Sequence, residues 1–330
     1  MESRFRGRLL WQSHSSRSLT LLLCFLLLVA APSFCAAPAR PLKVLILFAG
    51  DQDNPALARF QVGLRARIEQ ELNAPVWIYD ESFDEGWLGH SPSYERALER
   101  FLREKYAKRG IDIVVPVGDY PLQYVQRKRQ TLLPDAKLIY VGWRSPQSSV
   151  PDATGMVLSL DLGPTLQAAL VQNPGTRHVL LIAGASALDH GFAQLLLASG
   201  QKHLQETHQQ VELKILSPGT FDDTRSVLAA LPPDAITVFV SYFADTAGQG
   251  FVPGRILPIL SAATNRPMYG WIDSVFGRGI VGGRLMDSEA SGASFGDLML
   301  RVVHGEKPGS IPEVRVDLQR NMFDWKEMKR

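Results

Sequence analysis

Short apolar runs and amphipathic helical stripes alternate from Lys43 to Leu318, and this alternation is the strongest constraint on the fold. Lys43–Phe48 is a continuous apolar run closed by Ala49-Gly50, as in a strand buried on both faces of a parallel sheet. Leu57, Phe60, Leu64, Ile68 and Leu72 follow at three- or four-residue steps and give one helix stripe. Val76–Tyr79 is the next strand. Ser91-Pro92 opens a helix with Pro in its favoured first turn, striped by Tyr94, Leu98, Phe101, Leu102 and Tyr106. Ile111–Val117 is a third strand, ending in Gly118-Asp119; a helix over 121–133 and strand Lys137–Val141 complete a first series.

A second series of the same kind starts near 150. Strands are expected at Met156–Leu160, His178–Ala183, Val211–Leu216, Ile236–Val240, Pro267–Trp271, Ile280–Leu285 and Val314–Leu318. Helices are expected at Pro164–Gln172, 191–207, 223–231, Arg255–Thr264 and Ala293–His304, the last with Gly305 as C-terminal cap. Strands separated by helices imply parallel sheets with right-handed crossovers. More than ten strands exceed one comfortable open sheet. The expected fold class is therefore α/β, with two Rossmann-like lobes around a central cleft. No short repeat is visible, which excludes a solenoid.

Composition bears on the partner. The 330 residues carry a formal charge of +2, with 45% hydrophobic and 21% charged residues, an ordinary globular make-up. The basic excess lies in the first 39 residues. Arg4, Arg6, Arg8 and Arg17 precede a 13-residue apolar run, Leu19–Ala31, and then Ala37-Pro38-Ala39. This is the layout of a secretory signal peptide with an A-x-A cleavage site; the run is short of the ~20 residues of a membrane span. A retained anchor, or a lipoprotein using Cys35 behind the bulky Phe34, is the alternative. Cleavage after Ala39 leaves 31 basic and 32 acidic residues and removes both cysteines. The mature chain is then near-neutral and Cys-free, suited to the periplasm, with membrane contact only through the signal segment. No basic patch supports nucleic-acid binding.

Open α/β sheets bind ligands beyond the carboxyl ends of their strands. Those ends are Phe48–Asp53, Gly118-Asp119, Gly142-Trp143, Gly184–His190, Ser241–Asp245 and Trp271–Ser274. They are rich in Gly, aromatic rings and hydrogen-bonding groups, the make-up of a small-molecule pocket; singly, such residues also make turns and helix caps. Catalytic and cofactor motifs are weaker. Gly184-x-Ser186 has Leu188 where a nucleophile elbow has its second Gly. Ser186, Asp189 and His190 are adjacent in sequence, which does not assemble a triad. Gly277-x-Gly279-x-x-Gly282 leads into a strand rather than a helix, so it reads as a turn with tight packing. His203 and His208 do not share a helix face, and Asp51-Gln52-Asp53-Asn54 lacks the Gly and distal Glu of a calcium loop. Arg127-Lys128-Arg129 reads as a solvated helix face. No cofactor, metal or enzymatic activity is expected.

Several landmarks together resemble a known family. These are Tyr94–Tyr106 with Ile111–Asp119, Leu231-Pro232-Pro233-Asp234, Asp245-Thr246-Ala247-Gly248, Arg266-Pro267-Met268-Tyr269-Gly270, Gly277–Gly283 and Phe323-Asp324-Trp325. In order and spacing they are similar to the ABC-transporter substrate-binding-protein-like family, which has the type I periplasmic-binding-protein fold. They resemble more closely the periplasmic sensor modules of bacterial hybrid histidine kinases. The resemblance implies two lobes that close by a hinge on a small molecule, with three chain crossings, expected near 148, 265 and 308. Lobe 1 is then 40–148 plus 265–308, and lobe 2 is 149–264 plus 309–330. Some relatives bind aromatic amino acids. The expected ligand-binding residues are Asp51, Asp119, Trp143, Ser186, Asp189, Ser241, Tyr242, Trp271 and Asp273. The rings would cover an apolar ligand body, and the Asp and Ser groups would hold an amine or hydroxyls. The expected partner beyond the ligand is an ABC permease or a membrane sensor kinase; a hydrolase using Ser186 or an Asp is the third reading.

Overall fold

The computed structural model describes residues 40–50, 54–72, 74–88, 91–216 and 219–329. The expected signal peptide, 1–39, lies outside the described residues, as does Asp51. Two six-stranded sheets are present. The first contains β1 (Leu42–Phe48), β2 (Val76–Ser82), β3 (Ile113–Val117), β4 (Lys137–Gly142), β5 (Ala153–Leu158) and β11 (Val314–Val316), in the order β11-β5-β4-β3-β1-β2. The second contains β6 (His178–Ala183), β7 (Glu212–Ile215), β8 (Ala235–Ser241), β9 (Met268–Tyr269), β10 (Gly282–Met286) and β12 (Gln319–Phe323), in the order β12-β10-β9-β8-β6-β7. All pairings are parallel except that of β10 with β12. The α/β two-lobe architecture is thus as expected.

The central strands are apolar throughout because helices cover both faces. In β1, Val44 and Ile46 pack toward α1 (Pro55–Glu71), through Leu57, Phe60, Leu64 and Ile68. The alternate residues Leu45 and Leu47 join Leu98, Leu102 and Tyr106 of α3 (Pro92–Tyr106) and Tyr124, Val125 and Leu132 of α4 (Asp119–Leu132). Successive side chains point to opposite faces, so one strand serves two cores. The basic run on α4 is tied to α3 rather than merely solvated: Arg127 pairs with Glu95, and Lys128 Nζ lies 2.8 Å from Glu99.

The second lobe carries α5 (Gly163–Gln172), α6 (Ala187–Glu206), α7 (Phe221–Ala229) and α8 (Pro253–Ala263); α2 (Glu85–Leu88) is a single turn following β2. Helix α9 (Ser288–Val303) packs on α1 in the first lobe, and a last turn, α10 (Trp325–Met328), ends the described chain. The α1–α9 crossing is close enough to exclude side chains. A Cβ on Gly63 would lie 1.9 Å from Glu289 O, and one on Gly292 would lie 1.9 Å from Phe60 O.

Sheet membership places the crossings differently from the expected 148, 265 and 308. Strand β5 pairs with β4, Leu138 opposite Ala153, so the chain remains in the first sheet until Leu158. Segment 268–286 belongs to the second sheet, with Thr237 opposite Met268 and Gly282 opposite Tyr269. The crossings fall at 159–162, at Asp287 and at 317–318. The helical pattern does restart near 150, but one more strand precedes the first crossing. The expected strand 314–318 ends at Val316 in the first sheet, and β12 begins three residues later in the second. Gly282 makes that last pairing possible: at φ 132° it leaves room where a Cβ would lie 2.0 Å from Met322 O. The Gly277–Gly282 pattern therefore serves a turn and a close strand approach, as its context in the sequence suggested.

Candidate functional site

A cavity of about 370 Å³ lies between the two sheets, at the carboxyl ends of their strands. This is within the ~300–1,000 Å³ of small-molecule sites. The first lobe contributes Phe48–Gly50 from the end of β1, the first turns of α1 from Asn54 to Phe60, Gly118 and Asp119 at the β3–α4 junction, and Trp143 and Arg144 after β4. The second lobe contributes the first turns of α6 from Ala187 to Leu195, Ser241 and Phe243 at and beyond the end of β8, Pro253-Gly254 of α8, and Trp271-Ile272. Ser288 and Ser291, on α9 just after the second crossing, complete the wall.

The lobes touch beside this cavity. The Trp143 and Phe192 rings meet across the cleft with centroids 5.6 Å apart, and Phe192 and Trp271 continue the row at 5.4 Å. The Trp271 indole is fixed by its Nε1, which donates to Val240 O at 2.8 Å. Gly86 of α2 abuts Phe243; a Cβ there would lie 2.9 Å from Phe243 Cβ. Arg59 Nη1 of α1 reaches Asp273 Oδ2 at 3.4 Å.

Of the nine expected ligand contacts, Asp119, Trp143, Ser241 and Trp271 line the cavity. Asp119 and Arg144 form an ion pair, with Arg144 Nε 2.8 Å from Asp119 Oδ2 and both side chains about half exposed. Ser186, Asp189, Tyr242 and Asp273 lie behind the wall, each held by partners within the protein. Asp189 is fully buried. Its Oδ2 accepts from Ser186 Oγ at 2.7 Å and from the backbone N–H groups of Ser186 and Phe243 at 3.2 and 3.0 Å. Its Oδ1 accepts from Ser241 Oγ at 2.6 Å. Ser186 Oγ in turn accepts from Asp189 N at 3.0 Å, so the pair is a capping box that starts α6 at Ala187. Burial pushes the Asp189 carboxyl up, and the hydrogen bonds from Ser241 and Ser186 oppose that shift. The carboxylate ties the α6 N-terminus to the end of β8, and Gly184 leaves room for it: a Cβ there would lie 2.5 Å from Asp189 Oδ2.

Tyr242 follows Ser241 and faces the opposite side of the strand end. Its ring packs on Phe251 and Phe221 at 5.5 and 6.0 Å, and its hydroxyl shares a 3.1 Å hydrogen bond with Thr224 Oγ1. Asp273, also buried, accepts from Ser288 Oγ at 2.6 Å and from Arg59; it joins the second lobe to the crossing and to α1. The lining residues that sequence reasoning did not single out are in the N-terminal turns of helices: Phe60, Tyr120, Gln123, Phe192 and Leu195. Phe60 reads as helix-stripe core, and the start of α6 is at 187 rather than 191, which hides Phe192 in the first two turns. The Ser-x-x-Asp capping signature at Ser186 was the signal available for that start.

No protein-family model and no curated protein sequence matches the chain. Solved structures do match its fold. The ABC domain in complex with L-Trp from Streptococcus pneumonia superposes with a TM-score of 0.59 at 14% identity, covering 88% of this chain and 94% of that one. A substrate-binding protein with adhesive properties from Clostridium difficile, in its ligand-free open form, gives 0.57 at 12% identity, over 87% and 93%. A LacI transcriptional regulator from Lactobacillus brevis gives 0.54 at 15% identity, over 85% and 100%. At these identities the likeness establishes the fold, type I periplasmic-binding-protein-like, which binding proteins and transcriptional regulators share.

Proposed function

We propose that this protein is a periplasmic solute-binding protein that captures a small organic molecule between its lobes and presents it to an ABC-type permease. The observation that carries this reading is the cavity at the carboxyl ends of both sheets, walled by aromatic rings from both lobes that meet at Trp143 and Phe192. A ligand contacting both walls binds the closed arrangement better than an open one, and that difference drives closure. Trp143 and Trp271 cover the ligand body, and Asp119 and Ser241 stand beside it. Ser186 Oγ has its hydrogen-bond partners on Asp189, with no histidine among them. The neighbouring structures are binding proteins and regulators. Both points favour binding over hydrolysis.

Export rests on the charged, apolar and small-residue order of 1–39. Among the described residues no helix is long and apolar enough to cross a membrane. The second reading, a sensing module working with a membrane sensor kinase, is favoured by the landmarks that resemble such modules; it uses the same cavity. Co-purification with a permease or with a kinase separates the two.

The test of capture is a thermal-shift screen of a broad metabolite panel on the wild type and on Gly191→Trp. Gly191 lines the cavity at an exposed position, and a Cβ there meets nothing within 4 Å, so an indole at this site can lie across the cavity without forcing the helix. A true ligand at 100-fold its Kd stabilises the wild type by about 2.7 kcal/mol and leaves Gly191→Trp unshifted. A panel without a hit, or hits that shift both proteins equally, contradicts the reading.

A further inference from the structure

The polar side chains that line the cavity are mostly engaged elsewhere in the protein. Asn54 Oδ1 accepts from Ala56 N and Leu57 N at 2.9 and 3.3 Å, capping α1. The hydroxyls of Ser241, Ser288 and Ser291 donate to Asp189, Asp273 and the Asp287 carbonyl at 2.6, 2.6 and 2.7 Å. Asp119 and Arg144 neutralise each other. Glu85 and Tyr120 are also engaged. Against this the wall offers Gln123, Ser274 and the Asn54 side-chain N–H groups without a hydrogen-bond partner among the described residues, while the Trp143 Nε1, also unpartnered, is buried behind its own ring. The rest is apolar, including the Trp143–Phe192–Trp271 row.

We propose that the cavity prefers a flat, uncharged aromatic molecule carrying one or two hydrogen-bonding groups over sugars and zwitterionic amino acids. The proposal rests on the reading of the cavity as a ligand site and names the class of that ligand. A sugar brings many hydroxyls, and each one left unpaired on burial costs about 1–3 kcal/mol; the few unengaged groups of a largely apolar wall do not satisfy them all. An ammonium would meet the Asp119 carboxylate already paired with Arg144, and a carboxylate would meet that guanidinium already paired with Asp119. Either charge competes with a half-exposed ion pair that is already made, and so gains little from it. A neutral ring asks for neither. It gains from burial against the aromatic wall, and its few polar atoms find partners in Gln123, Ser274 and the Asn54 amide.

Titration calorimetry on the full chain as processed by the cell tests this, with four probes: indole, 2-naphthol, L-tryptophan and lactose. Indole and L-tryptophan share a ring, so their ratio isolates the zwitterionic head. Indole or 2-naphthol is expected to bind at least tenfold more tightly than L-tryptophan and lactose. Gln123→Leu is expected to weaken the neutral probes about fivefold, and Gly191→Trp to abolish their binding. L-tryptophan or lactose binding as tightly as the neutral rings, with loss in Gly191→Trp, overturns the ligand class and leaves the site standing. No binding by any probe, or binding unaffected by Gly191→Trp, overturns the ligand class and counts against the site as well.

Discussion

At the scale of single residues, the chemistry near the cleft separates groups that hold the site from groups that face it. Asp189 belongs to the first kind. Its carboxylate gathers donors from Ser186, Ser241 and Phe243, and each donor orphaned in the interior costs about 1–3 kcal/mol. Asp189→Ala is therefore expected to lose more than about 3 kcal/mol of stability in urea unfolding; a loss under 1 kcal/mol would contradict the tie. The sign of its pH dependence follows from linkage. Burial raises the folded-state carboxyl above its unfolded value, so the folded protein holds the proton to higher pH, and the group's contribution is lost as pH rises through the folded value. The stability of the wild type relative to Asp189→Asn should accordingly fall as pH rises above the ordinary carboxylate value, and a rise there would show the opposite shift. In the sequence, Ser186 and Asp189 were legible as polar groups at a strand end. Their mutual capping geometry was written in the same Ser-x-x-Asp spacing, and only the fold shows that Ser241 and Phe243 complete it. Tyr242 was misplaced by one step of strand alternation: its neighbours Ser241 and Phe243 face the cavity, and it does not.

Elements were legible where pattern and burial coincide. The runs at β1, β3, β6 and β8 are apolar because both faces are covered, and their positions follow directly from that. Strand β12 carries Gln319, Arg320 and Asn321 and is a partly exposed sheet edge, so no apolar pattern marks it; its close approach depends on Gly282 of β10. Helix starts were read late wherever the first turn is polar or small, as at Ala187 and Ser288, and at Ala187 this hid Phe192 near the helix start. The α1–α9 contact is the element-scale feature most open to test. Gly292 and Gly63 lie inside helices, where Ala would ordinarily be preferred, yet a Cβ at either meets a backbone oxygen at 1.9 Å. Gly292→Ala should destabilise by about 1–3 kcal/mol through overpacking, lowering Tm by a few degrees, whereas an unchanged or raised Tm would mean that the helices are not held this close.

For the whole molecule, the two-lobe α/β plan follows from the restart of the strand–helix pattern, while the crossing points depend on long-range pairing that local pattern does not encode. Strand β5 could have joined either lobe until its register with β4 was known. The same separation applies to the cleft: strand-end segments identify its edge, and only the approach of the lobes shows that Trp143 meets Phe192 across it. Export is a whole-chain property and has its own check. N-terminal sequencing of the exported protein is expected to begin at Arg40, and an intact Met1 or a lipidated Cys35 would mean anchoring in place of cleavage after Ala39. The central claim is capture of a small molecule in the interlobe cavity. Native mass spectrometry with the tightest compound from the screen tests it most directly, on the wild type and on Gly191→Trp side by side. One molecule per chain is expected on the wild type and none on the folded variant. Equal occupancy of the two, or an unliganded wild type at saturating concentration, would contradict it.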